Sequence, residues 1–227
     1  MNWNEKPEGN LLKLFSQLTG KTKRNYLIER IEGNRLTIRE TEKSGELNVS
    51  FKNGSFIRFS EKMLGTNQFI AFFNKQEGDT LRRICDGIFL TCSNDRVLLC
   101  LVELKTNINN RFERAVKQIE GSYLKTAMLL GLLYKIKEIE LVVFIGGELK
   151  EVIDDPDIDF AEKVEEFRGN PNNLESKLKE FSRNGNVRMD FPFFLDQTIH
   201  EDYRKENINV YHLEDGDTFD MQALLDR

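Results

Sequence analysis

Asp86, Glu103 and Lys105 are the only charges set into or against two apolar runs, Ile84–Cys92 and Val97–Leu104, in the segment RRICDGIFLTCSNDRVLLCLVELK at residues 82–105. An ionised carboxylate inside an apolar strand is expensive without a partner, so these positions need a chemical reason. Strand side chains alternate faces, which puts Glu103 and Lys105 on one face and Leu104 on the other. If Asp86 lies across from them, two carboxylates and an ammonium converge. Two such carboxylates suit a hard divalent cation such as Mg²⁺, with Mn²⁺ as a substitute. A lysine beside that cation can orient or activate a water, or stabilise charge developing on a phosphate. These are the parts of a metal-assisted phosphodiester hydrolysis. The plainer alternative is a strand end capped by Glu103 and Lys105, with Asp86–Gly87 forming a bend.

The elements that must position these groups are legible around them. The two runs are short, rich in β-branched and bulky residues, and separated by the polar turn Ser93-Asn94-Asp95, which predicts a buried hairpin. From about Arg111 to Tyr134 the segment carries Phe112, Ala115, Val116, Ile119, Tyr123, Ala127, Leu130 and Leu133 at three-and-four spacing, which predicts a long amphipathic helix. EIELVVFIGG follows as a continuous apolar run closed by two glycines, the pattern of a buried parallel strand. Strand, helix and parallel strand imply a right-handed crossover.

Asp86, sixteen intervening residues, and then Glu103-Leu104-Lys105, with Gln118 on the following helix, resemble the PD-(D/E)xK nuclease superfamily over roughly residues 69–146. Cys85 stands where the proline that names the motif would be, and Tyr123 lies one residue beyond the usual spacing from Gln118. The resemblance implies a restriction-endonuclease-like α/β fold, a mixed sheet flanked by helices. It implies a Mg²⁺-dependent endonuclease acting on nucleic acid, DNA above RNA. Asp86, Glu103 and the main-chain carbonyl of Leu104 would hold the metal, Lys105 would position or activate the attacking water, and Gln118 would support Lys105 or a phosphate oxygen. Arg111, Arg114, Lys117 and Lys125 are the candidate phosphate contacts. The family often adds an acidic residue upstream, for which Glu61, Glu77 and Glu8 are the candidates. By analogy of fold, restriction, phage defence or repair are settings for such an enzyme. The rival function is a subunit of the same fold that binds without cutting, within a larger nucleic-acid-processing or defence complex. Cutting both strands would call for a homodimer or a partner subunit.

Composition bounds these readings. The chain has 227 residues, 39% of them hydrophobic and seventeen of them Phe, enough for one large core. No apolar run approaches the roughly 20 residues of a membrane-spanning helix, and the polar start MNWNEKPEGN has no signal-peptide character. Three cysteines, Cys85, Cys92 and Cys100, sit in or beside the central strands, which argues for packing roles and a reducing, cytoplasmic setting. No His or Cys cluster has ligand spacing, and His200 and His212 read as structural or exposed. The net charge of −5 argues against a stand-alone nucleic-acid-binding module and calls for a localised basic face or a partner.

The rest of the chain predicts a frame. PEGNLLKLFSQL reads as a short amphipathic helix, and GKTKRN as a basic surface loop without P-loop context. Residues 26–59 alternate apolar and polar side chains between the turns Gly33-Asn34, Ser44-Gly45 and Asn53-Gly54, an antiparallel meander with one wet face. This gives an N-terminal β extension over residues 1–59 and an α/β domain over 60–227, or one continuous domain. Residues 60–76 read either as a helix capped by Ser60 or as a strand, NQFIAFF, pairing with the Asp86 strand, and the resemblance favours the strand. Short helices are expected at AEKVEEFRG and NLESKLKEFSRNG, strands at VRMDFPFFL and INVYHL, and a short helix or fray at QALLDR. The run Asp154, Asp155, Asp157 and Asp159 lacks the glycine and distal Glu of a calcium loop.

Overall fold

The computed structural model describes residues 10, 11, 13, 17, 28–31, 33–42, 45–60, 84–93, 96–152, 173–194 and 199–226. Its framework is a seven-stranded mixed sheet, built from β1 (Ile28–Arg30), β4 (Phe56–Phe59), β5 (Gly87–Ser93), β6 (Arg96–Leu104), β7 (Glu140–Gly146), β8 (Asn186–Phe191) and β9 (Lys205–Leu213). Their order across the sheet is β1-β4-β5-β6-β7-β9-β8. A smaller sheet of β2 (Arg35–Glu42), β3 (Gly45–Lys52) and β10 (Thr218–Asp220) has the order β10-β3-β2. Helices α1 (Phe112–Leu130), α2 (Leu174–Asn184) and α3 (Gln222–Leu225) and three short 3-10 turns, Asn109–Arg111, Ile136–Glu138 and Glu201–Tyr203, complete the described elements. The fold is thus α/β with a mixed sheet.

The hairpin forms as its pattern requires. β5 and β6 pair antiparallel from Ser93↔Arg96 to Gly87↔Val102. β6 then pairs parallel with β7, from Leu98↔Glu140 to Leu104↔Gly146, with α1 as the connecting helix. β6 is the centre of the molecule because both faces of its sheet are covered. Its Val97, Leu99 and Leu101 join the core shared with Ala115, Val116 and Ile119 of α1. Its Leu98, Cys100, Val102 and Leu104 join a second core with Leu36, Ile38, Val49 and Phe51 of the small sheet. A strand buried on both faces reads as a continuous apolar run, which is why Val97–Leu104 lacks alternation.

The N-terminal β region departs from a single meander. β2 and β3 pair with each other, but β1 and β4 belong to the large sheet, where β4 pairs antiparallel with β5. The chain switches sheets at Asn53, whose φ of 59° is a left-handed conformation that asparagine tolerates. β10, an element without a clear sequence signal, returns from the C-terminal region to pair parallel with β3. Both sheets therefore contain strands from either side of residue 60. NQFIAFF, GKTKRN, the helix expected at 161–169 and the Asp154–Asp159 run lie outside the described residues. Among the described residues the neighbour of β5 on that side is β4.

Helix α2 is capped at both ends: Asn173 accepts a hydrogen bond from the Glu175 N–H, and Gly185 ends the helix at φ 65°. His212, on β9, is half-buried and lies 2.7 Å from the Gly147 carbonyl oxygen, while His200 is exposed. The three cysteines are free thiols; Cys85 and Cys100 are buried, and burial pushes each above the ordinary thiol range. No helix among the described residues is long and apolar enough to cross a membrane.

Candidate active site

Asp86, Glu103 and Lys105 meet where the hairpin opens. One step beyond the Gly87↔Val102 pair, the register sets Asp86 opposite Glu103. The ladder stops there because the Leu104 N–H donates to the Asp86 carboxylate at 2.7 Å instead of to a main-chain carbonyl. Glu103 continues the Val97, Leu99 and Leu101 row, pointing to the α1 side, and is fully buried. Lys105, also buried, donates from Nζ to Glu103 Oε1 and, at 2.8 Å, to the Leu104 carbonyl.

The electrostatics follow from this burial. Desolvation is the largest influence on Asp86, whose pKa is pushed up to about 7. The Leu104 N–H and the Lys105 charge act against that rise, and Glu40 adds to it. Glu103 is held well above the carboxylate range, first by burial and next by the negative charge of Asp86, with Lys105 opposing both. Glu103 Oε2 is buried and has no hydrogen-bond partner among the described residues.

Glu40 is the acidic residue that sequence reasoning missed. Its negative charge acts on both Asp86 and Glu103, raising the pKa of each. The small sheet brings it there. Leu36 and Ile38 of β2 are buried against the large sheet, and Glu40 is the next residue on that face. Gly87 allows the approach: a Cβ there would stand 2.8 Å from Ile38 Cδ1. The available signal was the row Leu36, Ile38, Glu40, in which a carboxylate takes the place of the next apolar side chain. Glu61, Glu77 and Glu8, the upstream acids considered from sequence, lie outside the described residues.

Helix α1 holds the entry to Asp86. Gln118 Nε2 donates to the Ile84 carbonyl at 3.1 Å, and one turn later Ser122 Oγ accepts from the Cys85 N–H at 2.8 Å. Gln118 therefore bonds the backbone two residues before Asp86; the expected support of Lys105 is replaced by a bond to the main chain. Ser122, which serves the same segment, carried no sequence signal beyond its place on the helix. Tyr123 donates to the Tyr203 carbonyl at 2.7 Å and belongs to the packing of α1.

The expected phosphate contacts separate. Arg114 is exposed, and Arg111 and Lys117 are half-buried near the start of α1. Lys117 pairs with Glu113 and lies 5.0 Å from the centre of the Phe194 ring. Lys125 is fully buried, so it does not present its ammonium to an external phosphate backbone, and that expectation is corrected. The reason is that Lys125 falls on a stretch of α1 that is buried continuously from Ile119 to Ala127, beyond its apolar stripe.

On the far side, the end of β7 locks the end of β6. The Lys105 N–H donates to the Gly146 carbonyl at 2.8 Å. Gly147 has φ 131°, and a Cβ on it would lie 1.8 Å from the Lys105 carbonyl oxygen, so only glycine fits there.

Among the described residues no group of three or more His, Cys, Asp or Glu is placed to hold a metal ion as it stands. Several of the oxygens that would do so are otherwise engaged. Glu103 Oε1 and the Leu104 carbonyl hold the Lys105 ammonium, and Asp86 holds the Leu104 N–H. The donor set of carboxylates and a main-chain carbonyl, with the unpartnered Glu103 Oε2 among them, has the hard-oxygen chemistry that Mg²⁺ takes. No protein-family model, curated protein or solved structure matches the chain.

Proposed function

We propose that the chain is a metal-dependent nuclease that hydrolyses phosphodiester bonds, with DNA as its first candidate substrate. The observation that carries the reading is the buried Lys105 ammonium resting on Glu103 and the Leu104 carbonyl, with Asp86 bonded to the same Leu104 peptide. A strand end capped for stability alone would keep these charges in water, because a buried ion pair gains little over apolar packing.

In this reading Asp86, Glu103 and the Leu104 carbonyl hold a Mg²⁺, with Glu40 beside Asp86. When bound, the metal supplies Lewis-acid polarisation of a phosphoryl oxygen and acidifies water. Lys105 supplies the positive charge next to the carboxylates, where it orients the attacking water or faces the charge developing on the phosphate. Gln118 and Ser122 fix the backbone that carries Asp86, and Gly147 fixes the carbonyl end of Lys105.

A second reading is a domain that binds nucleic acid or a partner without cutting. Its partner-binding form is favoured by the net charge of −5 and by the burial of Lys125, both of which weaken direct attraction to phosphates and leave affinity to a partner subunit. One assay separates the two. Plasmid and linear single- and double-stranded DNA are incubated with wild type and with Lys105→Ala, in Mg²⁺, Mn²⁺ and EDTA. Metal-dependent cutting that is lost in the variant is expected. Absence of cutting by the wild type in either metal would move the assignment to the binding module.

A further inference from the structure

We propose that the Phe193–Phe194 turn, with Lys117 of α1, is a stacking platform for the bases of single-stranded nucleic acid. The inference deepens the nuclease reading and rests on it for its biological sense, but base binding is measurable without cleavage.

The turn is built rigidly around an exposed ring. Glu120 on α1 is fully buried, and its Oε2 accepts from the main-chain N–H groups of both Phe193 and Phe194 at 2.7 Å. A buried carboxylate serving two consecutive peptide groups fixes their orientation and limits what the backbone can do. Phe193 packs against the core shared with α1, and its ring meets that of Phe194 at 5.1 Å and 75°. Phe194 nevertheless remains 37% exposed. Among the described residues the other exposed large apolar side chains are Met128 and Leu132, a separate pair toward the far end of α1 and just past it.

Charge and position indicate what covers the ring. The Lys117 ammonium, paired with Glu113, lies over the Phe194 ring at 5.0 Å from its centre, and Arg114 is exposed one turn earlier on the same helix. Lys117 adjoins Gln118, which bonds the backbone at Ile84, two residues from Asp86. The aromatic face, the cations and the entry to the candidate site thus share the first half of α1. An exposed ring with a cation over it takes a base and its phosphate together when the ammonium moves from the ring to the phosphate. The net charge of −5 sharpens the choice between single strand and duplex. Duplex binding draws on neutralising many phosphates, which an acidic chain does poorly. Single-strand binding adds base stacking, worth about 1–3 kcal/mol per base, to its phosphate contacts, and stacking requires unpaired bases.

The test measures fluorescence anisotropy of a labelled twenty-nucleotide oligothymidine and of a labelled duplex of equal length. EDTA is present throughout, so cutting plays no part. Wild type is expected to bind the single strand more tightly than the duplex. Phe194→Ala and Phe194→Leu should each weaken single-strand binding about tenfold, and Phe194→Trp should retain it. Circular dichroism of each variant should match the wild type, since the ring is partly exposed. Equal binding by wild type and Phe194→Ala would overturn the proposal, as would full binding by Phe194→Leu, which keeps apolar bulk without a π face. Wild-type preference for duplex would also overturn it. A metal-dependent cleavage assay run in parallel tests the nuclease reading separately, because a platform can fail while Lys105-dependent cutting survives.

Discussion

Lys105, the residue just past β6, donates its ammonium to Glu103, two residues earlier, and both side chains are buried. Alternate residues on one strand share a face, so the pair is set by the strand itself. Removing one member leaves the other buried without its partner. Lys105→Ala is therefore expected to abolish cleavage and also to lower stability by about 3 kcal/mol. Adding Glu103→Gln should return much of that stability without returning activity. Urea unfolding of the wild type, both single variants and the double variant would measure the coupling. Additive single effects would show that the two groups do not act as a pair.

Gly147 gives a second test of how the site is held. A Cβ at this position would fall 1.8 Å from the Lys105 carbonyl oxygen, and φ is 131°. Gly33 also has positive φ, at 97°, but a Cβ there meets nothing within 4 Å. Gly33→Ala should therefore show only the backbone penalty, about 1–2 kcal/mol. Gly147→Ala should lose clearly more stability and should lose cleavage, because the end of β6 must move. Urea midpoints for the two variants decide this, and equal losses would place the strain in the backbone alone.

The two apolar runs and the polar turn made the β5–β6 hairpin legible, because local pattern and final pairing agree there. The Asp86, Glu103 and Lys105 constellation followed from the period of a strand and the length of a hairpin. Glu40 was not legible as a site residue. Its position depends on a second sheet folding over Gly87, a tertiary contact that alternation within β2 does not specify. The splitting of the N-terminal strands between two sheets was hidden for the same reason, since turn signals at Asn53-Gly54 mark a reversal but not the sheet that the next strand joins. Lys125 shows the limit of reading charge as exposure, because the helix is buried around more of its circumference than its apolar stripe indicates.

Ser122 and Gln118 both hold the segment before Asp86, but they should fail differently. Ser122→Ala removes the acceptor of the buried Cys85 N–H, which then has no partner from this side chain. A loss of about 1–3 kcal/mol is expected from that unsatisfied donor. Gln118→Ala frees the Ile84 carbonyl at a half-buried position and should cost about 1 kcal/mol. Both should weaken Mg²⁺ binding, since each loosens Asp86. Calorimetric Mg²⁺ titration beside urea unfolding reads the two effects separately. Unchanged metal affinity in both variants would show that α1 serves only the fold.

Asp86 links the site to pH. Its carboxyl, raised to about 7 chiefly by burial, carries a proton in the folded chain over a range where an unfolded aspartate, at 3.8, has lost it. The sign is therefore fixed: its contribution to stability is complete below about 3.8 and fades as pH rises through 7. Asp86→Asn should flatten that decline, seen as the difference between wild-type and variant melting temperatures from pH 4 to 8 in EDTA. A cation bound by Asp86 displaces that proton, so this residue should make Mg²⁺ affinity rise by up to about tenfold per pH unit below pH 7 and bend the profile there. Glu40, whose charge holds the Asp86 carboxyl higher, should move that bend when altered. Glu40→Gln is expected to shift it to lower pH and to weaken Mg²⁺ binding about 10–100-fold, as loss of a group that orients a ligand does. Calorimetric titrations from pH 5.5 to 8.5, in two buffers of different ionisation enthalpy, count the released proton directly. Affinity independent of pH, with no proton released, would remove Asp86 from the metal site.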